Sequence, residues 1–121
     1  MVPPPPEVAR VLFGPVLSQV EKYAQLLAQV GVERGLIGPS EAERLWERHL
    51  LNSGAVAELV PTPGSDPLHL ADLGSGAGLP GIVLAIMRPG LHVTLVEPMA
   101  RRTAFLLECA EALNLGNVQV L

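Results

Sequence analysis

The chain has 121 residues, within the range of roughly 100–150 residues that one hydrophobic core commonly organises. Apolar residues make up 49% of it and charged residues 17%, a balance that excludes disorder. The net charge is −4 and the eight Lys and Arg residues are scattered, which excludes a basic block that would announce a phosphate backbone as partner. The single cysteine, Cys109, rules out an internal disulfide, fits a reducing compartment and reads as a small core residue. The start, MVPPPPEVAR, lacks a basic region followed by an apolar core, and no apolar run approaches the roughly 18 residues of a membrane span. A cytoplasmic protein with no membrane partner is expected.

Residues 1–6 read as a Pro-rich tail, extended because each proline lacks an amide hydrogen and constrains its predecessor. Residues 7–60 read as a helical segment. In its first part Val8, Val11, Leu12, Val16, Val20, Tyr23, Leu26, Leu27 and Val30 follow helical spacing, interrupted at Gly14-Pro15. A second helix is placed by Ser40 and Glu43, spaced as a capping box, with Ala42, Leu45, Trp46, His49 and Leu50 as its apolar stripe. Turn formers and helix breakers over 61–67, PTPGSDP, mark a linker.

From 68 to 121 the pattern alternates. LHLADL (Leu68 to Leu73) reads as a strand, Pro80 to Met87 as a helix, and LHVTLVE (Leu91 to Glu97) as a second strand. Pro98 opens a third helix with Ala104, Leu107, Ala110 and Leu113 on one face, closed by Asn114-Leu115-Gly116, and NVQVL begins a third strand. Strand, helix, strand, helix, strand implies right-handed crossovers and a parallel sheet, hence an α/β Rossmann-like fold.

The segment between the first strand and its helix carries the chemistry. Gly74, Gly76 and Gly78, with Ser75 between the first two, let the backbone turn sharply and let a ligand lie against bare main chain at the carboxyl end of a parallel strand. Gly76, Gly78 and Gly81 also satisfy the dinucleotide pattern G-x-G-x-x-G, and Glu97 lies about 20 residues downstream of it, so spacing alone leaves a nicotinamide-dependent oxidoreductase open. Charge separates the readings. An unpaired carboxylate at Asp72 would repel a pyrophosphate, whereas S-adenosylmethionine carries an α-ammonium and a sulfonium, both positive. Asp72 therefore favours the methyl donor. Glu97 can accept hydrogen bonds from ribose hydroxyls of either cofactor.

Three stretches, GLIGPSEAERLWERHLLNSGAV (Gly35 to Val56), LADLGSGAGLPGIVLAIMRPG and VTLVEPMARRTAFL, together resemble the glucose-inhibited division protein B family over about residues 16 to 121. That family methylates N7 of a guanine in small-subunit (16S) ribosomal RNA. The loop ending Gly-Leu-Pro-Gly and the run Arg48-His49-Leu50-Leu51-Asn52-Ser53 carry the likeness. The chain departs from the family where Asn52 replaces a common Asp and Gly35-Leu36-Ile37 replaces Asn-Leu-Thr. The resemblance implies that Gly74, Leu79 and Glu97 contact S-adenosylmethionine, with Leu79 covering its apolar face. It also implies an incomplete fold, the first three parallel strands of an S-adenosylmethionine-dependent methyltransferase with an N-terminal helical extension. On that view the chain is an N-terminal fragment of a protein that is monomeric when full length, the fragment alone being inactive.

Guanine N7 bears an in-plane lone pair and gives up no proton on methylation, so no general base is needed. No catalytic residue and no metal ligand set are expected. The expected partner is small-subunit ribosomal RNA or the ribosomal subunit. His49, Trp46 and Ser53 lie on or near one helix face, where His49 could approach the cofactor or the RNA or be a hydrogen-bonded core residue. Arg101 and Arg102 could meet RNA phosphates or form a solvated face. His69 and His92 flank strands and read as incidental. A non-catalytic S-adenosylmethionine-binding module is the alternative outside enzymes.

Overall fold

The computed structural model describes residues 2–61 and 68–121, so most of the expected linker lies outside the described residues. The proline run is extended, Pro6 having φ −69° and ψ 162°, and the first helix, α1 (Glu7–Phe13), starts directly behind it. The tail is anchored. The Trp46 indole N–H donates to the carbonyl of Pro3 at 3.1 Å, giving a partner to a main-chain acceptor that polyproline geometry leaves unbonded.

Gly14, at φ 52°, ends α1, and a 3₁₀ turn over Gly14–Val16 restarts the helix as α2 (Leu17–Leu26), which runs on into a π-helical turn over Leu27–Gly31. This break shifts the register of the apolar stripe. Val8 and Val11, expected inside, are 55% and 81% exposed, while Ala9 and Phe13 are buried. Beyond the break the stripe holds, with Val20, Tyr23 and Leu27 buried.

The next helix, α3 (Pro39–Ala42), corrects the expected capping box. Its N-cap is Gly38, and the carboxylate that reaches back to the Gly38 amide belongs to Glu41, at 3.2 Å. Pro39 is the reason: a proline suits the first helical position, which places the cap one residue before it. A π-helical turn (Trp46–Leu50) leads into α4 (Leu51–Val56) and a 3₁₀ turn over Ala57–Leu59. Ala42, Leu45, Trp46 and Leu50 are buried as the spacing implies.

The strands β1 (Leu68–Leu73), β2 (Leu91–Val96) and β3 (Val118–Val120) form one parallel sheet in the order β1-β2-β3. Leu68 pairs with Leu91 and Leu73 with Val96, while Val93 pairs with Val118. Two helices connect the strands, α5 (Gly81–Met87) and α6 (Ala100–Ala112), so α6 begins two residues after Pro98, behind Met99 as its cap. On α6 the buried face is Phe105, Leu106 and Cys109, joined by Leu113, whereas Ala104 and Leu107 are exposed. The larger apolar surface of the Phe105 face outweighs the small-residue face at this boundary. Burial pushes the Cys109 thiol up to about 12, as suits an inert core residue.

The helices cover the sheet face presented by buried Leu91, Val93 and Leu95; on the opposite face His69, Ala71, Leu73, His92 and Gln119 are exposed. Asn117 closes the base of the sheet by donating to the carbonyls of Ala85, Arg88 and Leu91. The helical segment is fixed to the strand unit by the Arg34–Glu108 ion pair on the surface and by side-chain donors of Gln19 and Lys22 on the carbonyls at the end of α6. At the contact of α4 with α1 a Cβ on Gly54 would lie 2.7 Å from Leu12 Cδ2 and 2.9 Å from Phe13 Cε1. Gly54→Val is therefore expected to lower stability by about 1–3 kcal/mol, the usual scale of overpacking, in denaturant unfolding. An unchanged midpoint would contradict this packing.

Candidate functional site

β1 and β2 deliver Asp72 and Glu97 to their carboxyl ends, and the loop between β1 and α5 passes over both. The loop enters by two hydrogen bonds, from the amides of Gly74 and Ser75 to the Val96 carbonyl at 2.8 and 3.1 Å. It turns through left-handed backbone at Gly74 (φ 70°), Gly76 (φ 59°) and Gly78 (φ 97°), a region in which side chains are strained.

The glycines differ in what surrounds them. Among the described residues nothing lies within 4 Å of where a Cβ on Gly74 would sit, and the nearest atom at Gly76 is 4.0 Å away, so both present open backbone. At Gly78 a Cβ would lie 2.5 Å from Ile82 Cδ1 and 2.9 Å from the Tyr23 hydroxyl. At Gly81 it would run into Leu95 and stand 2.7 Å from Asp72 Oδ2. Gly74 and Gly76 thus form a bare cradle, and Gly78 and Gly81 allow the loop and α5 to sit close beneath it.

Asp72 is half-buried, and its carboxylate is not unpaired as the sequence suggested: Oδ2 accepts from the Gly81 amide at 3.0 Å. Gly81 is the first residue of α5, and first-turn amides have no partner within a helix, so one oxygen is committed to the helix end. Burial pushes the Asp72 carboxyl above its ordinary value, and the hydrogen bond from the Gly81 amide pulls it part of the way back. Ser75 is buried, and its hydroxyl donates to the Asp72 carbonyl at 2.8 Å, so it shapes the loop from inside.

Glu97 is 4% exposed. Its Oε2 accepts from the Met99 amide and its Oε1 from the Gly76 amide, each at 2.9 Å, and Arg102 Nη1 stands 3.9 Å from Oε1. The Met99 amide first, then the Gly76 amide, then Arg102, hold the Glu97 carboxyl below the usual range against the opposing effect of burial. The structure therefore brings Asp72, Gly74, Ser75, Gly76, Gly78 and Glu97 together, with half-buried Leu79 at the far end of the loop. Arg102 joins them through Glu97, while Arg101 is exposed.

Other residues singled out from sequence lie apart. Trp46 is buried against Phe13, their ring centres 6.3 Å apart, and His49 Nε2 is buried without a partner among the described residues. His69 and His92 stack on each other at 5.0 Å near the amino ends of β1 and β2. Sequence reasoning missed Tyr23. Its hydroxyl donates to the Ala77 carbonyl at 2.6 Å, reaching from α2 into the middle of the loop.

A parallel sheet with helical crossovers and a glycine loop over acids at two neighbouring strand ends is the Rossmann-like arrangement of S-adenosylmethionine-dependent methyltransferases. The GidB family model, described as rRNA small subunit methyltransferase G, matches residues 16–121, and the chain belongs to that family. Curated relatives named ribosomal RNA small subunit methyltransferase G include one from Thermobifida fusca, 61% identical over 116 residues, covering 96% of this chain and 47% of the relative. Another, from Salinispora tropica, is 61% identical over 121 residues, covering 97% of this chain and 48% of the relative. A third, from Mycolicibacterium vanbaalenii, is 55% identical and covers 94% of this chain and 48% of the relative. The chain spans about half the length of these relatives.

Because its folded pKa lies below the ordinary 4.5, Glu97 stabilises the fold at pH values above 4.5, and the contribution is lost as pH falls through the lower, folded value. Glu97→Gln is accordingly expected to lower stability at neutral pH and to flatten the decline of stability below pH 4.5, measured by denaturant unfolding at a series of pH values. Parallel pH profiles for parent and variant would contradict the loop contact.

Proposed function

We propose that the protein is an S-adenosylmethionine-dependent methyltransferase acting on N7 of a guanine in small-subunit (16S) ribosomal RNA. The observation that carries this reading is the open glycine cradle between two acids at adjacent strand ends, in a chain that belongs to the rRNA small subunit methyltransferase G family. When bound, S-adenosylmethionine supplies an electrophilic methyl group on a sulfonium.

The residues present fit that ligand. Gly74 and Gly76 offer main chain unobstructed by side chains. Asp72 keeps Oδ1 for a ligand while Oδ2 holds α5, and an anion raised by burial gains from a cationic neighbour. Glu97 spends one lone pair of each oxygen on loop amides and retains others as acceptors for ribose hydroxyls. Leu79 provides an apolar wall. Ser75 and Gly78 act through the loop's shape, the first by its inward hydroxyl and the second by lacking a side chain.

No general base is required of this chain, because guanine N7 presents a lone pair without losing a proton. The work assigned to its residues is to hold the donor rigidly for in-line attack and to exclude water. Small-subunit ribosomal RNA or the ribosomal subunit is the partner, and the cytoplasm the site of action.

Two outcomes test the reading, both on the protein expressed from its complete gene. Label from tritiated S-adenosylmethionine should enter unmethylated small subunits at guanine N7, and label elsewhere or nowhere would overturn the assignment. Asp72→Asn keeps an oxygen for the Gly81 amide but loses the charge. It should leave stability nearly intact while weakening S-adenosylmethionine binding by about 1–3 kcal/mol, the scale of a charge-assisted hydrogen bond. Undiminished affinity by calorimetry would remove Asp72 from the site.

A further inference from the structure

Tyr23 lies 54 residues before Ala77, on a helix outside the strand unit, and it is 0% exposed. A phenylalanine would fill the same core volume, so the hydroxyl demands its own account. Burial above all, with smaller effects of Cys109 and Asp72, pushes the phenol well above its ordinary value, so it stays protonated and donates. Its acceptor is the Ala77 carbonyl, between two glycines with left-handed backbone.

The peptide joining Ala77 to Gly78 is held at both poles. Its carbonyl accepts from Tyr23 at 2.6 Å, and its N–H donates to the Ser75 carbonyl at 2.8 Å. Glycine readily adopts either sign of φ, so a peptide beside Gly78 can rotate unless something fixes its carbonyl. Among the described residues no strand ladder or helix does so, and the phenol is the group that reaches it. Rotation of this peptide would reverse a main-chain dipole within the cradle and leave a carbonyl without its inward partner.

We infer that Tyr23 is a positioning residue for the cofactor loop, through which the N-terminal helical segment sets the loop's ligand-binding conformation. This rests on the reading of the loop as an S-adenosylmethionine site. It gives the N-terminal helices a part in cofactor binding beyond packing, and it acts through one hydrogen bond.

The test uses Tyr23→Phe, which keeps the ring and removes only the donor, beside Val20→Ala, which opens the core one turn earlier on the same helix and removes no hydrogen bond to the loop. Hydrogen exchange of the unliganded proteins should show the amides of Gly76, Ala77 and Gly78 exchanging faster in Tyr23→Phe than in Val20→Ala. Calorimetry and steady-state kinetics should show Kd and KM for S-adenosylmethionine raised about 5- to 10-fold by Tyr23→Phe, the worth of one net hydrogen bond. Its kcat at saturating cofactor should be kept, and Val20→Ala should leave Kd unchanged. Loop exchange in Tyr23→Phe that matches the parent, or equal cofactor affinity, would overturn the positioning role. An equal loss of affinity in Val20→Ala would reduce Tyr23 to ordinary core packing. Failure of the parent protein to bind S-adenosylmethionine would instead overturn the functional reading beneath it.

Discussion

The seven residues from Gly74 to Pro80 form neither strand nor helix, and a loop rich in glycine has no conformation of its own. It is held from three directions. Glu97 accepts from the Gly76 amide, Asp72 accepts from the Gly81 amide, and the Tyr23 hydroxyl donates a hydrogen bond to the Ala77 carbonyl. Each tie comes from a different element, so the placement of β1, β2 and α2 determines the shape of the loop. Removing the sheet pairing of Leu73 with Val96 would move both acids at once, because they flank that pair.

Two carboxylates at neighbouring strand ends behave differently because their surroundings differ. Glu97 is nearly enclosed but receives two amide hydrogens and stands close to a guanidinium, so its charge is well supported. Asp72 receives one amide hydrogen and pays a desolvation penalty that raises its carboxyl. The better-supported acid organises the loop and the less-supported one has most to gain from a cation. In the function proposed above, that asymmetry would meet positive charge near β1 and neutral hydroxyls near β2, the distribution found in S-adenosylmethionine.

The strands and the loop were legible because β-branched runs, turn formers and glycine spacing are local signals. The same local signals place residues 72, 74, 76, 78 and 97 at the strand ends and in the turn between them. What escaped was set by contacts between distant residues. Nothing in the sequence says that Asp72 Oδ2 turns to the Gly81 amide, or that a tyrosine in an apolar stripe spends its hydroxyl 54 residues away. The helical errors have simpler causes: Gly14 breaks the register of α1, and Pro39 fixes a cap that the Ser40–Glu43 spacing concealed. The face of α6 required a comparison of apolar volume as well as spacing, which would have chosen Phe105 and Leu106 over Ala104 and Leu107.

Everything in the functional account depends on the sign of charge the loop accepts. Parallel calorimetric titrations of the protein expressed from its complete gene, with S-adenosylmethionine and with NAD, measure that preference directly. The account predicts saturable binding of S-adenosylmethionine and none of NAD under the same conditions. Binding of NAD in preference to S-adenosylmethionine would contradict it.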